Sequence, residues 1–274
     1  MQFKYWLAAL LGVASLLIVI ALARNNLNRA SSRINVPTSA HHQSHPVHSW
    51  EQLFEENSGL PEIVSSMLQD NFEANVDNYA SLVSSIEICE KNNLKKENAR
   101  LLLKKAAYTS LPKDWLLAGE ATYKAALSAQ DTLTRDFLMA ESIAALDEVL
   151  KADPEHTNAQ LYKGLALVDK RENIMQGVPL LLSVVKKEPD NLPANYTLAL
   201  LATESGQFDK ALLRFEKLIS LQPSNVEYLY QAGNSALLSG ENEKAVSYFN
   251  RCLELSKDES LRKEIKRILT NLKQ

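Results

Sequence analysis

The chain has 274 residues, 46% of them hydrophobic and 23% charged, with a formal net charge of −3. That hydrophobic share is enough for a packed core in one or two domains, and the near-neutral balance leaves out the basic face or stripe that nucleic-acid binding requires. Only 8 Gly and 9 Pro stand among abundant Leu, Ala, Lys and Glu, which favours helices over a sandwich or barrel. The 2 cysteines, Cys89 and Cys252, lie far apart and give no CxxC, no zinc-ligand spacing and no disulfide framework. Each is expected to pack as a small hydrophobe.

Residues 1–4 form a short flank carrying Lys4. Tyr5–Ala23 then runs without a charge across 19 positions, roughly 28 Å of helix and close to the hydrocarbon thickness of a bilayer. Two readings compete: an uncleaved signal anchor, and a signal peptide cut at the small-residue site Ala21-Leu22-Ala23. The run exceeds the usual h-region length, which favours the anchor. Arg24, Arg29 and Arg33 come after it with no acid before Glu51. The positive-inside count therefore points to a cytoplasmic body, whereas the short basic flank ahead of an apolar run is the layout of an export signal. The expectation is a single-pass protein of a bacterial inner membrane with its body in the periplasm.

Residues 24–49 change to Asn, Ser, Pro and His with no hydrophobic period, as a disordered tether would. His41, His42, His45 and His48 fall here. A metal-capturing or pH-sensing role is one reading of them, but with Pro46 between them and no carboxylate or thiol nearby the plain solvated linker is the simpler one.

From Trp50 onward apolar residues recur at helical spacing. A helix is expected to open at Leu60-Pro61, with Ile63, Val64, Met67 and Leu68 as a stripe covering the first repeat. Beyond it a 34-residue period appears. Asn191–Ser224 aligns with Asn225–Asp258, so that Tyr196 falls on Tyr230, Gly206 on Gly240, Ala211 on Ala245 and Phe215 on Phe249. Pro189 and Pro223 close successive units, and Pro154 lies 35 residues before Pro189. In the last unit a first helix is expected from Val226 to Leu238, with Gly233 at a close approach and Gly240 ending it. A second helix then carries Ala245, Phe249 and Cys252 on one face. The unit from His156 to Asp190 has Gly164, Gly177, Leu181 and Val184, with one residue added in its turn.

Earlier, Trp115, Gly119 and Tyr123 mark a first helix and Ser142, Leu146 and Val149 a second. About ten extra residues around 125–136 imply longer helices or an inserted turn. Tyr79–Pro112, with Ala99, Leu103 and Ala106, reads as a degenerate unit. Residues 50–112 are thus N-terminal helices with that unit, residues 113–257 the repeats, and residues 258–274 a capping helix that buries Leu261, Ile265, Ile268, Leu269 and Leu272, since a solenoid end needs a cap.

These units resemble the tetratricopeptide repeat (TPR) family. The resemblance implies an all-α, right-handed solenoid of helix pairs behind the transmembrane helix. Anchor, His-bearing tether and the Asn173–Gly177 run are together similar to small membrane-anchored TPR proteins of Bacteroidota-type bacteria. The resemblance further implies a concave groove lined by the first helix of each unit, which in this chain gives Leu161, Tyr162, Leu165, Tyr196, Thr197, Leu200, Tyr230, Gln231 and Asn234, extended by Glu120 and Tyr123. Aromatic rings beside polar groups suit a peptide, and the alternative for each tyrosine is packing between helices. Paired cations that would clamp a terminal carboxylate are missing from these places; only Asn234 fits that pattern.

No GxSxG, HExxH, Walker A or GxGxxG sequence occurs, and His156, the one histidine of the folded body, is expected exposed in a turn. The reading is a non-enzymatic, membrane-anchored scaffold without a cofactor. It would hold a protein or peptide partner for assembly or recruitment of a membrane complex. The alternatives are a metal or haem delivery accessory using the tether, and an enzyme whose site forms only in a complex or around Cys89.

Overall fold

The computed structural model describes residues 50, 79–171 and 173–272. The span 5–23, the tether 24–49 with its four histidines, and the stripe Ile63, Val64, Met67 and Leu68 lie outside the described residues. Within them the chain forms eleven helices and no strand: α1 (Tyr79–Lys91), α2 (Lys95–Thr109), α3 (Pro112–Leu127), α4 (Thr132–Ala152), α5 (Thr157–Asp169), α6 (Ile174–Lys187), α7 (Leu192–Glu204), α8 (Phe208–Leu221), α9 (Val226–Leu238), α10 (Asn242–Leu255) and α11 (Glu259–Asn271). No helix of the described residues is long and apolar enough to cross a membrane.

Each helix packs against the next, and α3, α5 and α7 also touch in succession, so the body is a solenoid of helix pairs. The first helix of each pair is called A and the second B. Five pairs run from α1/α2 to α9/α10, and α11 closes the C-terminal end. The buried clusters track the stacking: one joins α1 to α4, a second spans α2 to α7, a third spans α7 to α11, and a smaller one joins α4 to α5.

Within a pair, a small residue on A meets a large one on B. A Cβ added to Gly233 would lie 2.7 Å from the Phe249 ring, and one on Gly119 would lie 2.6 Å from Leu146. In α5/α6 the backbones themselves close up, since a Cβ on Gly177 would lie 2.7 Å from the carbonyl oxygen of Gly164. Ala199 and Phe215 hold the corresponding places in α7/α8, both fully buried.

The helix starts obey the same period. His156 Nδ1 accepts the Ala159 amide (3.3 Å), Asn191 Oδ1 that of Ala194 (3.1 Å) and Asn225 Oδ1 that of Tyr228 (3.2 Å). Asp258 does the same for α11, taking the Ser260 amide at 2.8 Å. One orphan donor per A helix is thereby satisfied. His156 is therefore a half-buried cap rather than the exposed turn residue expected from sequence. The turns inside pairs instead use left-handed backbone, at Gly206 (φ 74°), Gly240 (φ 85°) and, without a glycine, Arg171 (φ 59°). The carbonyl closing a unit is also held: Gln160 donates to Pro154 O (2.8 Å) and Asn195 to Pro189 O (2.9 Å).

The extra length of the α3/α4 pair is taken up by longer helices. α3 has 16 residues and α4 has 21, against 13 to 14 in each helix from α5 to α10. Asp131 caps α4 by accepting the Thr134 amide at 2.7 Å.

Candidate functional site

A tyrosine hydroxyl links each A helix, from α3 onward, to a neighbouring one. Tyr162 on α5 donates to Glu120 on α3 (2.8 Å), and Tyr123 on α3 donates to Asp169 on α5 (2.8 Å). Farther along, Tyr196 on α7 reaches Glu227 on α9 (3.4 Å), and Tyr230 on α9 reaches Glu264 on α11 (2.9 Å). The result is a row of phenols and carboxylates on the A helices in two runs, α3 to α5 and α7 through α9 to α11.

The candidate residues differ in how much surface they offer. Leu161 and Leu165 are each 7% exposed and Tyr123 is 8% exposed, so these three belong mainly to the core. Tyr162, Tyr196, Thr197, Leu200, Tyr230, Gln231, Asn234 and Glu120 are half-buried. The tyrosine rings rest on deeper aromatics: Tyr196 lies 6.4 Å from Phe215, Tyr230 6.1 Å from Phe249, and Tyr123 meets Tyr162 edge-on at 5.8 Å. Part of each ring is thus packing between helices, and the rest is surface. Sequence reasoning missed the acceptors Asp169, Glu227 and Glu264, and also Tyr228, whose ring sits 5.6 Å from that of Tyr196.

Electrostatics fix the protonation of this row. Burial, then the hydrogen-bonded Glu120, pushes Tyr162 up to about 12. Burial with Glu227 does the same for Tyr196. Tyr230 is also pushed up to about 12 by burial, with Glu264 and Glu227 adding to it against a hydrogen bond with Asn234. All three phenols therefore remain protonated donors at neutral pH. Burial opposes ionisation of Glu120, yet hydrogen bonds from Lys124 (2.6 Å) and Tyr162 hold it below the usual carboxylate value. Asp169 is raised, because burial outweighs Tyr123, Arg135 and Arg171.

Elsewhere a concavity of about 530 Å³ lies between α2, α3 and α4 and is lined by Trp50, Arg100, Leu103, Trp115, Glu141 and Glu148 among others. Trp50 meets Phe137 edge-on at 5.3 Å and its indole donates to Glu141 at 3.1 Å. Cys89 and Cys252 are fully buried, and burial pushes their thiols up to about 12 and about 11. The thiolate form that would act as a nucleophile is accordingly scarce at neutral pH. Among the described residues no group of three or more His, Cys, Asp or Glu could hold a metal ion. What the row offers chemically is a set of fixed ring faces and carboxylate edges, suited to binding.

Comparison with known proteins agrees with this architecture. A tetratricopeptide repeat family model matches residues 139–191 and 196–260. Among solved structures, MamA from Desulfovibrio magneticus RS-1 is 22% identical with a TM-score of 0.53, covering 64% of this chain and 92% of its own. YrrB, a TPR protein with an unusual peptide-binding site, is 17% identical with a TM-score of 0.53, covering 73% of this chain and 97% of its own. No curated protein sequence matches the chain. The body is an all-helical TPR-type solenoid.

Proposed function

We propose that the chain is a non-enzymatic scaffold whose A-helix row holds a peptide or protein partner, on a body tethered to a membrane through residues 5–23. The observation that carries the reading is the row itself: half-buried Tyr162, Tyr196 and Tyr230 on successive A helices, each locked by a carboxylate of a neighbouring A helix. Locked aromatic rings bury large area on binding at little conformational cost. The resemblance in fold to YrrB, a protein with a peptide-binding site, supports the same use of the surface. The uncharged run Tyr5–Ala23 supports the tether. A role in assembling or recruiting a membrane complex, with the body on the periplasmic side of a bacterial inner membrane, rests on the two together.

Crosslinking and mass spectrometry from membranes, comparing the wild type with Tyr196→Ala/Tyr230→Ala, tests the row. The expected result is loss of specific crosslinked partners at unchanged helicity, and an unchanged partner set overturns it. A cysteine placed at Ser39 reads the topology by its reactivity to an impermeant reagent. The two native thiols are fully buried, so their background is low.

A further inference from the structure

Five carboxylates accept a tyrosine hydroxyl in the described residues, and their surroundings differ. Glu120 is also paired with Lys124 at 2.6 Å, and Glu216, which accepts from Tyr248 at 2.9 Å, is paired with Lys244 at 3.4 Å. Asp169 feels both Arg135 and Arg171. Glu227 and Glu264 make no ion pair with any cation among the described residues. Glu227 Oε1 accepts only neutral donors, Tyr196 (3.4 Å) and Gln231 (2.8 Å). Glu264 Oε1 accepts from Tyr230, and Arg267, one turn further along α11, makes no ion pair with it. The Oε2 atoms of both carboxylates carry no bond among the described residues.

Each of these two carboxylates borders aromatic rings. The Tyr196 and Tyr228 rings stand 5.6 Å apart at 41° beside Glu227, whereas Tyr230, two residues further along α9 and so turned to another face, stands with Glu264. Phe215 and Phe249 behind Tyr196 and Tyr230 are fully buried, so the rings have no room to sink. A visitor meets π faces flanked by two negative charges that the described residues offset only with neutral hydrogen bonds. Such a surface attracts a cation through ring quadrupole and carboxylate together. It repels a phosphate or a terminal carboxylate.

We infer that Tyr196 and Tyr228 with Glu227, and Tyr230 with Glu264, each form a seat for a lysine or arginine side chain of the partner, which is therefore a basic peptide segment. This inference rests on the A-helix row being the binding surface. The cation would lie against the ring faces and take the outer carboxylate oxygens, leaving the phenol bonds in place.

The test is fluorescence anisotropy on the full chain with three short labelled peptides identical except that Lys, Ser or Glu is spaced by Ala and Pro. The lysine peptide is expected to bind about tenfold tighter than the serine peptide at low salt, with the advantage shrinking as salt rises. Glu227→Gln/Glu264→Gln, which keeps both side-chain shapes and is checked by circular dichroism, should bring the lysine peptide to the level of the serine peptide. Equal binding of lysine and serine peptides, or a lysine preference that survives in the double variant, overturns the cation seat and leaves the groove reading standing. No binding of any of the three by the folded chain overturns both.

Discussion

The C-terminal end of the solenoid, α7 to α11, and the stretch before it, α3 to α6, reach the same contact by different means. In the former the units keep one length, Asn191 and Asn225 cap the A helices, glycines make the left-handed turns, and Phe215 and Phe249 fill the pair interface. In the latter α4 is long, a histidine caps α5, Arg171 sits where Gly206 and Gly240 sit, and Leu146 or Leu181 replaces the phenylalanine. A glycine opposed to a large side chain, Gly119 to Leu146 or Gly233 to Phe249, occurs in both. The pair interface therefore constrains the sequence more than helix length, cap type or turn residue does.

Breaking that interface should have the largest effect. Phe249→Ala is expected to cost about 4 kcal/mol and Leu146→Ala about 3 kcal/mol by urea titration. Hydrogen exchange should speed up mainly in the mutated pair and its neighbours, because repeats are coupled only to the next unit. Uniform loss of protection along the chain would contradict the nearest-neighbour picture. Gly177→Ala places a methyl 2.7 Å from a backbone oxygen that no rotamer change can move, and about 2 kcal/mol is expected.

The turns sharpen the comparison by sign. Gly206→Ala adds a side chain with nothing within 4 Å but keeps φ at 74°, so a loss of about 1 kcal/mol is strain alone. Arg171→Gly relieves the same strain and forfeits the exposed pair with Glu204 and a charge that acts on Asp169, so a small gain, under about 1 kcal/mol, is expected in a thermal melt. Asp131→Ala, at the cap that starts the long α4, should cost about 1 kcal/mol.

Acid provides the gentlest probe. Asp114, Glu120 and Asp131 are held below the ordinary carboxylate value, against burial, by Thr109 with Lys105, by Lys124 with Tyr162, and by Thr134. The unfolded chain therefore takes up protons first, near pH 4, and stability present above that range is lost as pH falls towards the folded values. Asp169, raised by burial, works in the opposite sense. A urea midpoint that does not fall below about pH 4 would show the hydrogen bonds to be weaker than their geometry implies.

The pairing of helices was legible in the sequence because small and large residues recur at one place per unit, and Gly240, Gly233, Phe249 and Ile265 stand where that recurrence puts them. The partners of the tyrosines were harder to read. Glu264 lies one full period after Tyr230, a spacing that hints at the bond, but Tyr196 reaches Glu227 by a different interval, so no single rule links phenol to acid. Tyr123 and the leucines at Leu161 and Leu165 share the register of exposed residues yet sink into the core, because burial depends on how neighbouring units lean together. The contact of Trp50 with Phe137 and Glu141 joins distant segments without any periodic trace.

The position of α11 has a consequence for how such a body changes length. Its start is capped by Asp258 as the A helices are capped, and its Glu264 takes the Tyr230 hydroxyl of α9 as the A helix of another unit would, yet no B helix comes after it among the described residues. The boundary between α10 and α11 is then a natural splice point. A whole 34-residue module inserted before Asp258 would find at its front the surface that α11 now covers, and would present to α11 a copy of what it covers today. Gene duplication could lengthen the array there one unit at a time without redesigning either end.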